Sequence, residues 1–384
     1  MDKIKDFIEK HKKEMMQFWK DLVNIESSTH DDKTEIFKRI DQEIIQGFRA
    51  LRRIEPEATC DKHNEQPSIV SYVTGTKSEL RPLVFLGHVD TVRTATSCIE
   101  RDGKLFGSGA LDMKGGIVIM VYTVFALAQQ QYPRPIKLVF TTGEEIGHTN
   151  DPHFETAMCA VCAGAAAAFS FETASIDHGL IVGRAGTINL DMIVEGKAAH
   201  TGRDPEQGRD AIFAATKIIQ YLSQFNNRKK FWITPGTIHG GTARNVIADR
   251  VDLKFDIRLY DENCRKEVYD LITESTLLCD DVRIYTEITA GIPPMTPTDA
   301  NAALFNFASS IAAQRGLPFG EPIVSGGAGD AAYAVMVGVP TIDQMGVEGE
   351  FNHTEKEYAV INSLFVKTEL MIAIAEAFDF KFNK

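Results

Sequence analysis

The chain lacks an excess of positive charge, lacks long uncharged apolar runs, and is sparing with cysteine for its size. Its 41 Lys and Arg face 53 Asp and Glu, a net charge of −12 at pH 7 and a pI near 5.4. That sign argues against a nucleic-acid partner, because binding phosphate needs basic side chains. No uncharged apolar stretch reaches the roughly 18 residues of a membrane span, so no membrane partner is expected. The six cysteines, Cys60, Cys98, Cys159, Cys162, Cys264 and Cys279, are scattered, which does not fit a disulfide framework. Cys159-Ala-Val-Cys162 has the spacing of half a zinc ribbon or of a redox pair. It has no second Cys-x-x-Cys to complete it, and its Ala-rich surroundings suit small apolar packing residues. Internal repeats and low-complexity tails are missing too. So is a Gly-x-Gly-x-x-Gly or Walker pattern between a strand and a helix, which argues against a nucleotide-binding enzyme. Residues 1–20 mix Lys, Glu and Asp with Ile4, Phe7, Ile8, Met15, Met16 and Phe18. They read as an amphipathic helix without the continuous apolar centre of a signal peptide, and the expected location is cytoplasmic.

What is present is a globular composition, 44% hydrophobic and 24% charged, in 384 residues. That is more than one ordinary core holds, and two domains are expected. An amphipathic run covers 33–51. Short strands are expected at 68–73 and 82–86, a buried helix at 115–130, a strand at 136–141, a helix at 153–162 and a strand at 166–172. This alternation predicts an α/β domain with a mostly parallel sheet flanked by helices on both faces. The pattern changes near Gly183. Residues 186–196 alternate, with Ile188, Leu190, Met192 and Val194 on one face. A helix at 208–225, strands at 231–233, 248–260 and 282–286, and a helix at 262–278 complete a β-α-β-β-α-β order. That order is the ferredoxin-like arrangement on an antiparallel sheet. After Pro293-Pro294 the α/β pattern resumes. The expected organisation is a catalytic domain formed by 1–183 and 295–384, with an inserted α+β domain at 184–294.

Chemistry concentrates where the predicted parallel strands stop. Gly87-His88-Val89-Asp90 ends the apolar run 83–86, and ligands of open α/β sheets collect outside the carboxyl ends of strands. Asp112 comes next in Gly109-Ala110-Leu111-Asp112-Met113-Lys114-Gly115-Gly116. Glu144 and Glu145 lie in Thr141-Thr142-Gly143-Glu144-Glu145-Ile146-Gly147. Glu172 closes a strand, and His353 stands in Gly349-Glu350-Phe351-Asn352-His353. Each has an ordinary reading alone: a packed histidine, a helix cap at Asp112, a solvated Glu-Glu turn. Together, two histidines and several carboxylates make a mixed N/O set suited to zinc, manganese or cobalt. Of two adjacent glutamates in a tight turn, one can ligate a metal while the other stays free as a base. Asp90, on the same face of an extended segment as His88, can accept the second imidazole N–H and fix its tautomer.

These motifs, with 107–116, 196–202 and 240–249 in the same order, resemble the co-catalytic zinc hydrolases. That superfamily includes glutamate carboxypeptidase, aminoacylase, acetylornithine deacetylase and succinyl-diaminopimelate desuccinylase. Phe171-Glu172-Thr173-Ala174 and Gly196-Lys197-Ala198-Ala199-His200-Thr201-Gly202 are most similar to the glutamate-carboxypeptidase branch. The resemblance implies two divalent metal ions, zinc first and cobalt or manganese as substitutes. In it, His88 and Glu172 hold one ion, Glu145 and His353 the other, Asp112 bridges both, and Glu144 is the general base for a water between them. It also implies a cis peptide at Asp112-Met113 and a homodimer in which the partner subunit supplies His200 as an oxyanion donor; a turn histidine is the alternative for His200. Arg258 would grip a substrate carboxylate, with a surface salt bridge to Asp256 as the alternative. Asn245 would touch the substrate or the oxyanion. Gly326-Gly327-Ala328-Gly329-Asp330 is not followed by Lys-Ser/Thr. It reads as a loop beside the substrate, Gly329 included, with Asp330 capping the next helix. The implied activity is hydrolysis of an amide next to a free carboxylate, in a short peptide or an N-acyl amino acid. A biosynthetic deacylase is the runner-up, and a non-catalytic binding protein on the same fold is the rival from another class.

Overall fold

The computed structural model describes residues 2–47, 52–54, 66–74, 79–149 and 151–382. Cys60 and residues 48–51 of the expected 33–51 run lie outside the described residues. The chain divides into two compact units: Met1–Gly183 with Pro297–Val324 and Asp330–Lys384, and Arg184–Thr296 with Ser325–Gly329.

The first unit is built on a six-stranded sheet in the order Arg52–Ile54, Ile69–Val73, Ile136–Thr141, Leu83–His88, Ala167–Ser170, Thr341–Ile342. Leu83–His88 is buried along its whole length and runs parallel to both neighbours. A strand buried on both faces reads as a continuous apolar run, as 83–86 does. Thr341–Ile342 extends the parallel set, and Ile69–Val73 joins it antiparallel. Helix Lys3–Asn24, capped by Asp2, buries one stripe that includes Phe18, Trp19, Leu22 and Val23. Helix Gly115–Gln129 is apolar on every side and is buried from Gly115 to Leu127, the pattern of a core helix. Joined to the turn before it, Ala110–Gln129 is long and apolar enough to cross a membrane, and all of that window is buried inside this unit. A count of uncharged stretches alone does not detect it, because Asp112 and Lys114 interrupt the run.

A second, small sheet has no counterpart in the sequence reading. Gly349–Glu350, Tyr358–Val360, Lys104–Phe106 and Ile99–Arg101 form four antiparallel strands. Strands of two and three residues are too short to show a period. Their effect is large, because Tyr358 pairs Phe106 and Val360 pairs Lys104. The hairpin around His353 is thereby anchored beside the segment that leads into Asp112.

The second unit carries a four-stranded antiparallel sheet in the order Phe231–Gly240, Arg250–Leu259, Gly186–Glu195, Arg283–Ile292. With helices Ala211–Ser223 and Arg265–Ser275 this is the ferredoxin-like order. Ile188, Leu190, Met192 and Val194 are buried as their alternation predicts, against Ala211, Ala215, Ile218 and Leu222. The strands at 231–240 and 283–292 run longer than expected. The expected helix at 262–278 divides into a 3-10 turn, Glu262–Cys264, and the α-helix.

Candidate functional site

The parallel register delivers three of the predicted groups to one sheet edge. His88 ends its strand opposite Thr141, and Leu86 lies opposite Ser170. The turn with Glu144 and Glu145 and the residues after Ser170 therefore leave the sheet side by side with His88. Asp112 arrives from a π-helical turn, Ala110–Lys114, with a cis Asp112-Met113 peptide. Two glycines make room for that turn. Gly109 has φ 74°, and a Cβ on Gly116 would lie 2.1 Å from the Phe171 carbonyl. Asp112 does not cap the following helix, whose start has no side-chain cap.

The Asp112 carboxylate instead faces both histidines. Oδ1 is 3.2 Å from His88 Nε2 and Oδ2 is 3.1 Å from His353 Nε2, while Asn352 Nδ2 also donates to Oδ2 at 3.1 Å. Glu172 Oε1 is 3.5 Å from His88 Nε2, and Glu145 Oε2 is 3.2 Å from His353 Nε2. Two triads result, His88–Asp112–Glu172 and Asp112–Glu145–His353, and in each the donor atoms lie within 4.8 Å of one another. His353 holds φ 63°, a left-handed conformation that costs an L-residue ~1–2 kcal/mol and is kept where the surroundings over-determine it.

The donor set fits divalent cations. Three carboxylates and two imidazole nitrogens converge in a largely buried space, where uncompensated negative charge is costly. Glu145 Oε1 is buried without a hydrogen-bond partner. Burial pushes the Glu145 carboxyl up to about 7, with Asp112 and Asp90 adding to the rise and His353 opposing it. Burial alone would lower the His88 imidazole, but Glu172, Asp112 and Asp90 hold it well above the ordinary histidine range. Hydrogen bonds to Asp112 and Glu145 raise His353 to about 10. A cation bound between these rings and carboxylates would compete with protons for the same atoms.

Glu144 is partly exposed and belongs to neither triad. Burial, then the Glu172 carboxylate, raise its carboxyl well above the usual range, with His88 opposing. Asp90 differs from expectation. His88 Nδ1 donates to the Asp90 backbone carbonyl at 2.9 Å, with the carboxylate 3.5 Å away. The carboxylate accepts the backbone N–H groups of Glu144 and Glu145 at 3.3 and 3.2 Å. Asp90 therefore holds the glutamate turn, and its carbonyl sets the His88 tautomer. Asp330 does not cap the next helix either. It accepts from His148 Nε2 and from Thr141 Oγ1, both at 2.7 Å, and His148 stacks on Phe154 at 3.4 Å. This buried network braces the glutamate turn from behind. Sequence reasoning misses it because a His three residues past a Glu-Glu pair carries no signal of its own.

The other predicted residues belong to the second unit. His200 pairs with Val246 in a two-stranded ladder, and Thr201 N–H donates to the Asn245 carbonyl at 3.1 Å, so His200 and Asn245 are neighbours. His200 is exposed, and its Nδ1 accepts the Gly202 N–H at 3.1 Å. The proton then sits on Nε2, which is left as a donor. Arg258 makes the salt bridge given as its alternative: its Nε and Nη2 form a bidentate pair with Asp256 at 2.8 and 2.9 Å. Its Nη1 donates to the Gly326 carbonyl at 3.2 Å. Gly329 lies against Arg184, whose Nη1 donates to the Gly327 and Ala328 carbonyls. Cys98, Cys159, Cys162, Cys264 and Cys279 are free thiols. Cys162 is buried, and burial lifts its thiol to about 12, which suits the packing reading.

The family model described as peptidase family M20/M25/M40 matches residues 84–377, well over half of the chain. The chain is 28% identical over 301 residues to carboxypeptidase G2 of Pseudomonas sp. (strain RS-16), covering 73% of this chain and 70% of that protein. It is 32% identical over 199 residues to succinyl-diaminopimelate desuccinylase of Dechloromonas aromatica, covering 46% and 52%. Among solved structures, a tripeptidase from Staphylococcus aureus superposes with a TM-score of 0.76 at 25% identity, covering 96% of this chain and 98% of that one.

Proposed function

Because the chain belongs to peptidase family M20/M25/M40, a family of metal-dependent hydrolases, we propose that it cleaves an amide bond beside a free carboxylate in a short peptide or an N-acyl amino acid. The observation that carries this reading is Asp112, with one carboxylate oxygen toward His88 and the other toward His353. In this reading His88 and Glu172 would hold one divalent ion, Glu145 and His353 would hold a second, and Asp112 would serve both. Zinc is the preferred ion, and cobalt or manganese are substitutes. When bound, such ions polarise the scissile carbonyl and lower the pKa of water.

The chain's own residues do the rest. Glu144 takes a proton from the water whose oxygen forms the new bond to the carbonyl carbon. His200 Nε2–H donates to the oxyanion that develops, and Asn245 stands beside it. Glu144 then passes its proton to the amine as the C–N bond breaks, which closes the proton balance. Arg258 grips the substrate carboxylate, which requires its fork to be shared with or released from Asp256. In this reading the second unit is the dimerisation surface, and a partner subunit supplies His200.

The test is a panel of N-acyl amino acids, dipeptides and tripeptides, each as the free acid and as the C-terminal amide. Free acids are expected to be cleaved and amides poorly. Arg258→Ala raises KM for the acids by about 10–100-fold, the size of a charge-assisted hydrogen bond, ~1.5–3 kcal/mol. Equal cleavage of acid and amide would remove the carboxylate requirement. The likeness to the S. aureus tripeptidase favours a second reading, cleavage of tripeptides, which the panel detects as a preference for tripeptides over dipeptides and N-acyl amino acids. The likeness to the desuccinylase favours a small-molecule deacylase, which it detects as a preference for acyl groups over amino acids.

A further inference from the structure

Glu357 belongs to neither triad and lies outside the glutamate turn. It is 4% exposed, and its carboxylate is spent wholly on backbone. Oε2 accepts the Gly109 N–H at 3.2 Å, and Oε1 accepts those of Leu111 and Asp112 at 2.9 and 3.1 Å. Three N–H groups of one tight turn thus converge on one side chain. The turn cannot satisfy them itself, because they are the first N–H groups of a helical turn that begins at Ala110 and have no carbonyl before them in it. The same turn is held elsewhere by Trp19 Nε1, which donates to the Ala110 carbonyl at 3.1 Å. Lys114 Nζ donates to the Ile25 carbonyl at 2.9 Å.

Glu357 has a second connection. It stands four positions after His353, in the hairpin between Gly349–Glu350 and Tyr358–Val360. One carboxylate therefore ties the turn that presents Asp112 to the hairpin that presents His353. A shift of either piece would open the distance between Asp112 Oδ2 and His353 Nε2, now 3.1 Å.

We propose that Glu357 is a positioning residue. By holding the 109–112 backbone, it fixes the Asp112 carboxylate between His88 and His353 and so sets the affinity of the site for divalent cations. The inference rests on the metal-centre reading of the two triads. Glu357 touches neither donor atoms nor substrate; it acts through Asp112. Groups behind a metal ligand typically change metal affinity or activity by 10–100-fold when altered, and an effect of that size is expected here.

The experiment compares wild type, Glu357→Gln and Glu357→Ala after metal stripping. Zinc uptake is measured by calorimetric titration, cobalt uptake by its visible absorption, and the melting temperature of each stripped protein is recorded. Glu357→Gln keeps one acceptor oxygen and nearly the same volume, so it carries the test if Glu357→Ala does not fold. The expected result is a stripped Glu357→Gln protein that melts cooperatively, binds zinc about 10–100-fold more weakly and has an altered cobalt spectrum. In the zinc-loaded protein kcat falls while KM stays at the wild-type value. Wild-type zinc affinity, cobalt spectrum and kcat in Glu357→Gln overturn the role of Glu357 alone. A wild-type protein that takes up no zinc overturns the metal-centre reading, and this inference with it.

Discussion

Glutamine at position 144 lowers kcat by about 10²–10⁴-fold, the range expected for loss of one positioned acid–base group, and leaves cation uptake intact. Glu144 lies beside the two triads and in neither, so its loss removes no cation donor. Its backbone N–H is held by Asp90, and glutamine at 144 preserves that bond. The side chain keeps its size and loses the ability to accept a full proton. In the proposed reaction both halves need that proton, first leaving water and then reaching the amine. The check is kcat together with bound metal per chain. Full metal with kcat lost assigns the base, whereas kcat within a few-fold of wild type would move the proton transfer elsewhere.

Alanine at position 112 has a different signature. Asp112 is shared by both triads, and each oxygen faces a different imidazole. Burial alone would raise its carboxyl, but the hydrogen bonds from His353 and His88 hold it far below the ordinary carboxylate range. In the proposed reading it is the group that both cation positions would share. Asp112→Ala therefore loses both ions together, with turnover below detection. Elemental analysis after dialysis, with turnover measured in excess zinc, is the check. Retention of one tightly bound ion would mean that the two positions do not share Asp112.

The cluster is largely legible in the sequence because its members carry strong local signals. Leu83-Val84-Phe85-Leu86 marks a buried strand, and the residues after such a strand lie at the carboxyl edge of the sheet. Gly109, Gly115 and Gly116 mark a turn in close contact with its surroundings, and the contact proves to be with Thr91, Val347 and Phe171. The alternation at 186–196 marks the inner face of the second unit's sheet.

The features that stay hidden depend on pairings distant in sequence. Glu357 looks like any charged loop residue in Thr354-Glu355-Lys356-Glu357. Only the register of Tyr358–Val360 on Lys104–Phe106 brings it under the 109–112 turn. For Asp90, spacing indicates the right neighbourhood and the wrong acceptor, because it does not distinguish a carboxylate from the carbonyl of the same residue. Arg258 and Asp256 are correctly placed on one face by alternation. Which anion the guanidinium meets first is a matter of local competition, and the adjacent Asp256 takes the bidentate edge.

The most direct test of metal-dependent amide hydrolysis is cleavage of tripeptides and N-acyl amino acids by metal-stripped protein, before and after adding zinc back, with bound zinc counted in the same samples. The predicted result is no cleavage when stripped and restored cleavage of at least one substrate as two zinc ions are bound per chain. Cleavage by stripped protein at the undiminished rate would contradict the account. So would two bound zinc ions with no substrate cleaved, the behaviour of a binding protein on this fold.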